Sequence, residues 1–243
     1  MFPRKVNRVE TEIIMPDVVV GGDFQQAIEL AEQAAVSRDA RWAYEEGIEV
    51  EQNRILIRNG IQHAYVLNPE GNYVVKRFRS IGEAAIQRDT MNTLYNVLRD
   101  AECPVSAVRV LAMASNGVLP PAAVIERAPG KSVSSRFMPD WAYPNHFAVC
   151  RAAMMKEIDV VRQHLDRALG RTASRILVND IDLSNNAGNN VFTHTGEDGE
   201  KRFTLIDQPF TWLPAGFYKA ALLGLQMRSR FPLRQAGFTD SRV

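Results

Sequence analysis

Lys76 closes the apolar run Val74-Val75, and thirteen residues later Asp89 lies in a segment of helical periodicity, with Glu83 between them. Asp180 and Asp182 stand in a polar loop running from Asn179 to Asn190, and Asp207 ends the apolar run Phe203 to Ile206. Phosphoryl transfer asks a protein mainly for a cation on the phosphates, carboxylates on magnesium and a base near the acceptor. Those residue types occur here in a workable order. Lys76 is placed where the chain leaves a β-ribbon and turns toward a helix. Asp89 is the expected partner of its ammonium, and Glu83 is the competing one.

The elements that must position these residues follow from periodicity. The first ~22 residues, through Gly21-Gly22, show no period and read as an arm; Asp23 then starts a helix in which Ala27, Ile28, Leu30, Ala31 and Ala34 recur at helical spacing. Ile55 and Ile57 alternate with polar neighbours, and Ala64 to Leu67 leads through Asn68-Pro69-Glu70-Gly71-Asn72 into Tyr73 to Lys76, which predicts a β-meander. Residues 80 to 100 switch to helical period, and Pro104 stops them. Strands are expected at Val108 to Met113 and Ala122 to Glu126, separated by Asn116-Gly117. Residues 146 to 169 form the longest predicted helix, with Phe147, Cys150, Met154, Ile158, Val161 and Leu165 on one face. After the short run Arg175 to Val178, a hairpin is expected: Val191 to Thr193 out, Gly196 to Gly199 turning, Phe203 to Ile206 back.

Bulk properties set the class. The chain has 243 residues, 46% hydrophobic and 23% charged, which is ordinary globular composition with enough length for two small lobes. A formal net charge of +1, from 29 Lys and Arg against 28 Asp and Glu, gives no global reason to bind nucleic acid. Cys103 and Cys150 stand alone and read as buried free thiols. No apolar run approaches the ~20 residues of a membrane helix. The start lacks a signal core beyond Val18 to Val20, so a reducing, cytosol-like compartment is expected; delivery into a host cytosol by a dedicated secretion machine fits the same profile.

Several segments, taken in order, resemble the protein-kinase-like superfamily, in particular its aminoglycoside-phosphotransferase branch and the compact effector kinases injected by pathogenic bacteria. Gln87 to Leu94, followed by Ala101-Glu102-Cys103-Pro104-Val105, is similar to the family's αC helix and its exit. Ala123 to Gly130 is similar to its adenine-binding hinge, which implies that backbone groups of Glu126 and Ala128 bind the base. Asp180-Ile181-Asp182-Leu183, leading to Asn190-Val191-Phe192, resembles the catalytic loop. That resemblance implies Asp182 as base or acceptor-orienting carboxylate and Asn190 as a magnesium ligand. Asp180 replaces the family's His, and eight residues separate Asp182 from Asn190 where the family has five. Pairing Asp180 with Asn185 restores that spacing but loses the following Leu and the apolar pair, so Asp182 is preferred. Asp207, followed by Gln208-Pro209 in place of Phe-Gly, resembles the second magnesium ligand. Gly60 is the one glycine of the segment matching the glycine-rich loop, with Arg58 and His63 beside it as further phosphate contacts.

The resemblance covers residues 54 to 210, about two-thirds of the chain. It implies an α+β, two-lobed protein-kinase-like fold with an antiparallel N-lobe sheet and a reduced, mainly helical C-lobe. Residues 1–50 are then an arm and helix, 51–127 the N-lobe and 128–243 a minimal C-lobe. ATP and Mg2+ are the implied cofactors. The residues after Asp207 carry Lys219, Arg228, Arg230, Arg234 and Arg242 against Asp240, a balance that disfavours a polycationic acceptor. By resemblance to type III effector kinases, the expected acceptor is a Ser/Thr hydroxyl of a host protein. A small-molecule phosphotransferase and a nucleotide-binding pseudokinase are the alternatives.

Overall fold

Tyr73 to Arg77 is dominated by aromatic and β-branched side chains that suit a half-buried pleated surface, and it forms an interior strand of a five-stranded sheet. The computed structural model describes residues 9–17, 22–36, 63–66, 71–78, 80–134, 147–177, 190–206, 220–225 and 227. The strands are β1 (Glu10–Ile13), β2 (His63–Val66), β3 (Tyr73–Arg77), β4 (Val105–Ala107), β5 (Val110–Ser115), β6 (Ala122–Glu126), β7 (Lys131–Ser132), β8 (Val191–Thr195) and β9 (Lys201–Leu205). The helices are α1 (Gly22–Val36), α2 (Ile81–Asp100), α3 (Phe147–Leu169) and α4 (Arg171–Leu177).

The larger sheet has the order β1-β5-β6-β3-β2 and is antiparallel throughout. The smaller one, β4-β9-β8-β7, is mixed, because β4 runs parallel to β9. The class is therefore α+β, as expected. The expected strands at Ala122 to Glu126 and in the β8–β9 hairpin recur with nearly the expected limits, as do α2 and α3.

Reading the first ~22 residues as an arm requires correction. Glu10–Ile13 is an edge strand paired with β5, and Thr11 Oγ1 donates to Glu32 Oε1 of α1 at 2.6 Å. Four residues of which none is buried present no apolar face to detect, and charge on an edge is what blocks stray pairing. The Arg175 to Leu177 stretch belongs to α4. Ile55 and Ile57 lie outside the described residues.

Side-chain alternation gives the larger sheet two covered faces. On one, Phe24, Ala27, Ile28, Ala31 and Ala34 of α1 pack on Tyr73, Val75, Ala122 and Val124. On the other, Phe78, Ala123 and Ile125 join Ala84, Met91, Leu94 and Leu98 of α2 in a cluster that runs on to Met154, Ile158, Val161 and Leu165 of α3 and to Val191, Phe203 and Leu205 of the smaller sheet. The β5 register shifts between Val110 and Ala112. The Asn92 carboxamide fills this break: its Oδ1 accepts from Val110 N at 2.8 Å and its Nδ2 donates to Val110 O at 3.1 Å. This ties α2 to the sheet at a bulge, where ladder bonds are lost.

Candidate functional site

Alternation along β3 decides where Lys76 goes. Val75 faces α1, so Lys76 faces α2, and it is 4% exposed. Its Nζ sits 5.4 Å from the centroid of the Phe78 ring and donates to Gln87 Oε1 at 2.7 Å. Ser80 starts α2 by accepting from Glu83 N at 3.1 Å, a normal N-cap bond. From there Ala84, Met91, Leu94 and Leu98 line the buried face, with Gln87, 3% exposed, in the same row.

Asp89, the expected partner of Lys76, is therefore misplaced. It lies two residues past Gln87, about 200° around the helix at ~100° per residue, and its side chain is 53% exposed. Arg88 Nε donates to Asp89 Oδ1 at 2.8 Å, and the guanidinium also reaches Glu12 of β1 at 3.7 Å. The bond to Asp89 raises the Arg88 pKa against the opposing cost of burial. Asp89 holds β1 to α2 through Arg88 rather than serving the lysine. Glu83 lies in the first turn of α2.

The segment expected to bind adenine leaves the sheet at the end of β6. Glu126 N donates to Arg109 O at 2.9 Å, and Arg127 N donates to Asn72 O at 2.8 Å on the opposite side. Neither bond uses Ala128, which precedes Pro129 and is buried. The Glu126 carboxylate is taken up by Arg109 through Nε at 3.0 Å and Nη2 at 2.7 Å, a two-pronged ion pair. Arg109 in turn stacks 4.8 Å from the Tyr95 ring centroid, and its hydrogen bond to Glu126 raises its pKa. The side chain of Glu126 thus braces the strand end, and any base contact falls to the backbone. Gly130 follows at φ 81° and lies so close to β8 that a Cβ there would meet Thr193 O at 2.1 Å.

The β8–β9 hairpin begins next to Asn190, the one described residue of the expected magnesium pair. Val191 pairs with Leu205, and Ile206 N donates to Asn190 O at 3.1 Å, so the pairing extends to the open end next to Asp207 in sequence. The closed end turns through Gly196 to Gly199, where Asp198 accepts from Glu200 N and pairs with Arg202, holding its carboxyl below the usual range. Lys201 of β9 pairs with the buried Glu157 of α3. Asp180, Asp182, Asn185, Asp207 and Gly60 lie outside the described residues. For magnesium, the donor set is right in type, since an asparagine carbonyl and an aspartate supply hard oxygen. Among the described residues no three His, Cys, Asp or Glu side chains gather as a metal site.

Two residues escaped sequence reasoning. Gln87 carries a detectable signal, being a polar residue in register with Ala84, Met91, Leu94 and Leu98. Arg109 carries none, because its partner Glu126 lies on the next strand. A cavity of about 450 Å³ lined by Gly130, Lys131, Thr193, His194, Thr195, Gly199 and Lys201 shares no residue with the Lys76 and Gln87 pair. Among the described residues no helix is long and apolar enough to cross a membrane. No protein-family model and no curated protein matches the chain.

Proposed function

We propose that this chain is an ATP- and magnesium-dependent phosphotransferase of protein-kinase-like design, acting on a protein Ser/Thr hydroxyl. The observation that carries the reading is the buried Lys76, held at 2.7 Å by Gln87 on a strand whose neighbour β6 leads into the Glu126 to Ala128 segment. A buried ammonium is costly unless it serves a specific anion or partner. Lys76 would meet the phosphates, and the Glu126 and Ala128 backbone the base. Asp182 would orient the acceptor hydroxyl, with Asp180 the competing residue. Asn190 and Asp207 would hold magnesium, which when bound neutralises charge on the phosphates. The effector-like acceptor, a host protein, is supported by the resemblance to compact effector kinases.

Incubation with γ-labelled ATP and magnesium, alone and with host-cell lysate, tests this. Label is expected on protein; label confined to small metabolites makes the chain a small-molecule phosphotransferase. Asp207→Ala is expected to abolish magnesium-dependent transfer, and Asp182→Ala to lower kcat by on the order of 100-fold or more with little change in ATP affinity. Undiminished transfer in either variant removes that residue from its role. A second reading, a nucleotide-binding module without transfer, is favoured by the neutral Gln87 at the lysine; nucleotide binding with no transfer to any acceptor supports it.

A further inference from the structure

Gln87 does more than hold a lysine. Its Oε1 accepts from the Lys76 ammonium, which fixes the carboxamide orientation, since a flipped amide would set NH2 against NH3+. Its Nε2 hydrogens must then bond elsewhere. Nε2 is fully enclosed, and among the described residues it has no acceptor. Buried amide donors are satisfied in the large majority of cases, so an orphan beside a buried cation marks a place for an acceptor brought from outside. Next to an ammonium that acceptor is best an anionic oxygen.

We propose that Lys76 and Gln87 form an oxyanion cradle in which Gln87 Nε2 donates directly to a phosphate oxygen of a polyphosphate ligand, while Oε1 aims the lysine at the same group. The identity of that ligand as a nucleotide rests on the phosphotransferase reading above; the cradle itself does not.

The test is calorimetric titration of the full chain with inorganic tripolyphosphate, ATP and adenosine at fixed ionic strength, for the wild type, Gln87→Met and Gln87→Glu. Gln87→Met is expected to weaken tripolyphosphate and ATP about tenfold, the usual cost of one charge-assisted hydrogen bond. Gln87→Glu weakens both further, and adenosine binding is unchanged in either. Thermal melting of the unliganded proteins identifies a variant that fails to fold, in which case the other one decides. Unchanged tripolyphosphate and ATP affinity in a folded variant, or tighter binding by Gln87→Glu, overturns the cradle and leaves the nucleotide reading standing. Tripolyphosphate binding that depends on Gln87, without ATP or adenosine binding, upholds the cradle and overturns the nucleotide reading. A wild type that binds neither tripolyphosphate nor ATP overturns both.

Discussion

Burial pushes the His164 imidazole below its usual range, and Arg167 on the next turn of α3 pushes it further. Protonation therefore costs more in the folded chain than in the unfolded one. The stability that depends on neutral His164 is complete above the ordinary value of about 6.5 and drains away as pH falls below it. Urea midpoints measured at about pH 7.5 and about pH 5 are expected to differ less in His164→Gln than in the wild type; an unchanged difference removes His164 as the cause. The same scale shows what single residues reveal in sequence. Lys76 is legible because a lysine closing an apolar β run must either reach solvent or serve a site. Its partner is not legible by charge, which points to Asp89 or Glu83. It is legible by phase, since Gln87 shares the row of Ala84 and Met91. The Arg109 and Glu126 pair is not legible at all, because the contact exists only once β5 and β6 are aligned.

Two glycines with the same backbone sign separate two costs at the level of elements. Gly117, φ 72°, ends an Asn116 turn in open space, whereas Gly130, φ 81°, is pressed against the β8 backbone. Gly117→Ala is expected to cost about 1 kcal/mol, the conformational term alone. Gly130→Ala adds a clash that only movement of β7 from β8 relieves, and should cost clearly more, on the order of 3 kcal/mol or above. Equal urea midpoints for the two variants would show that the β7–β8 approach is looser than described. The elements legible in sequence are those with strong local signals: the helical period of α2 stopped by Pro104, the Asn116-Gly117 and Gly196 to Gly199 turns, and the long period of α3. β1 and β4 are not, being three or four residues long and stabilised by what they pair with, β5 and β9. α2 also ends without a glycine, through Glu102 at φ 49°, with Cys103 N donating to Leu98 O at 2.9 Å.

Across the molecule, α1 packs on the sheet that carries Lys76. Phe24, 1% exposed, meets Tyr73 edge-on at 5.3 Å and shares a cluster with Val75, the residue before Lys76. Phe24→Ala is expected to cost about 3–5 kcal/mol and, on the phosphotransferase reading proposed above, to reduce ATP binding along with the thermal midpoint. If ATP affinity holds while stability falls, α1 supports the sheet without setting the position of β3. The parallel pairing of Val105 to Ala107 with Phe203 to Leu205 has a mechanical consequence. Four residues after α2 ends, the chain is already laced into the strand that leads to Ile206 and the Asn190 end of the hairpin. With Asn92 pinning its middle to Val110, α2 is anchored at two points, so an outward swing of that helix would have to unlace β4 from β9. The fold thus resembles a fixed jaw more than a swinging gate, with the helix held from both its middle and its end.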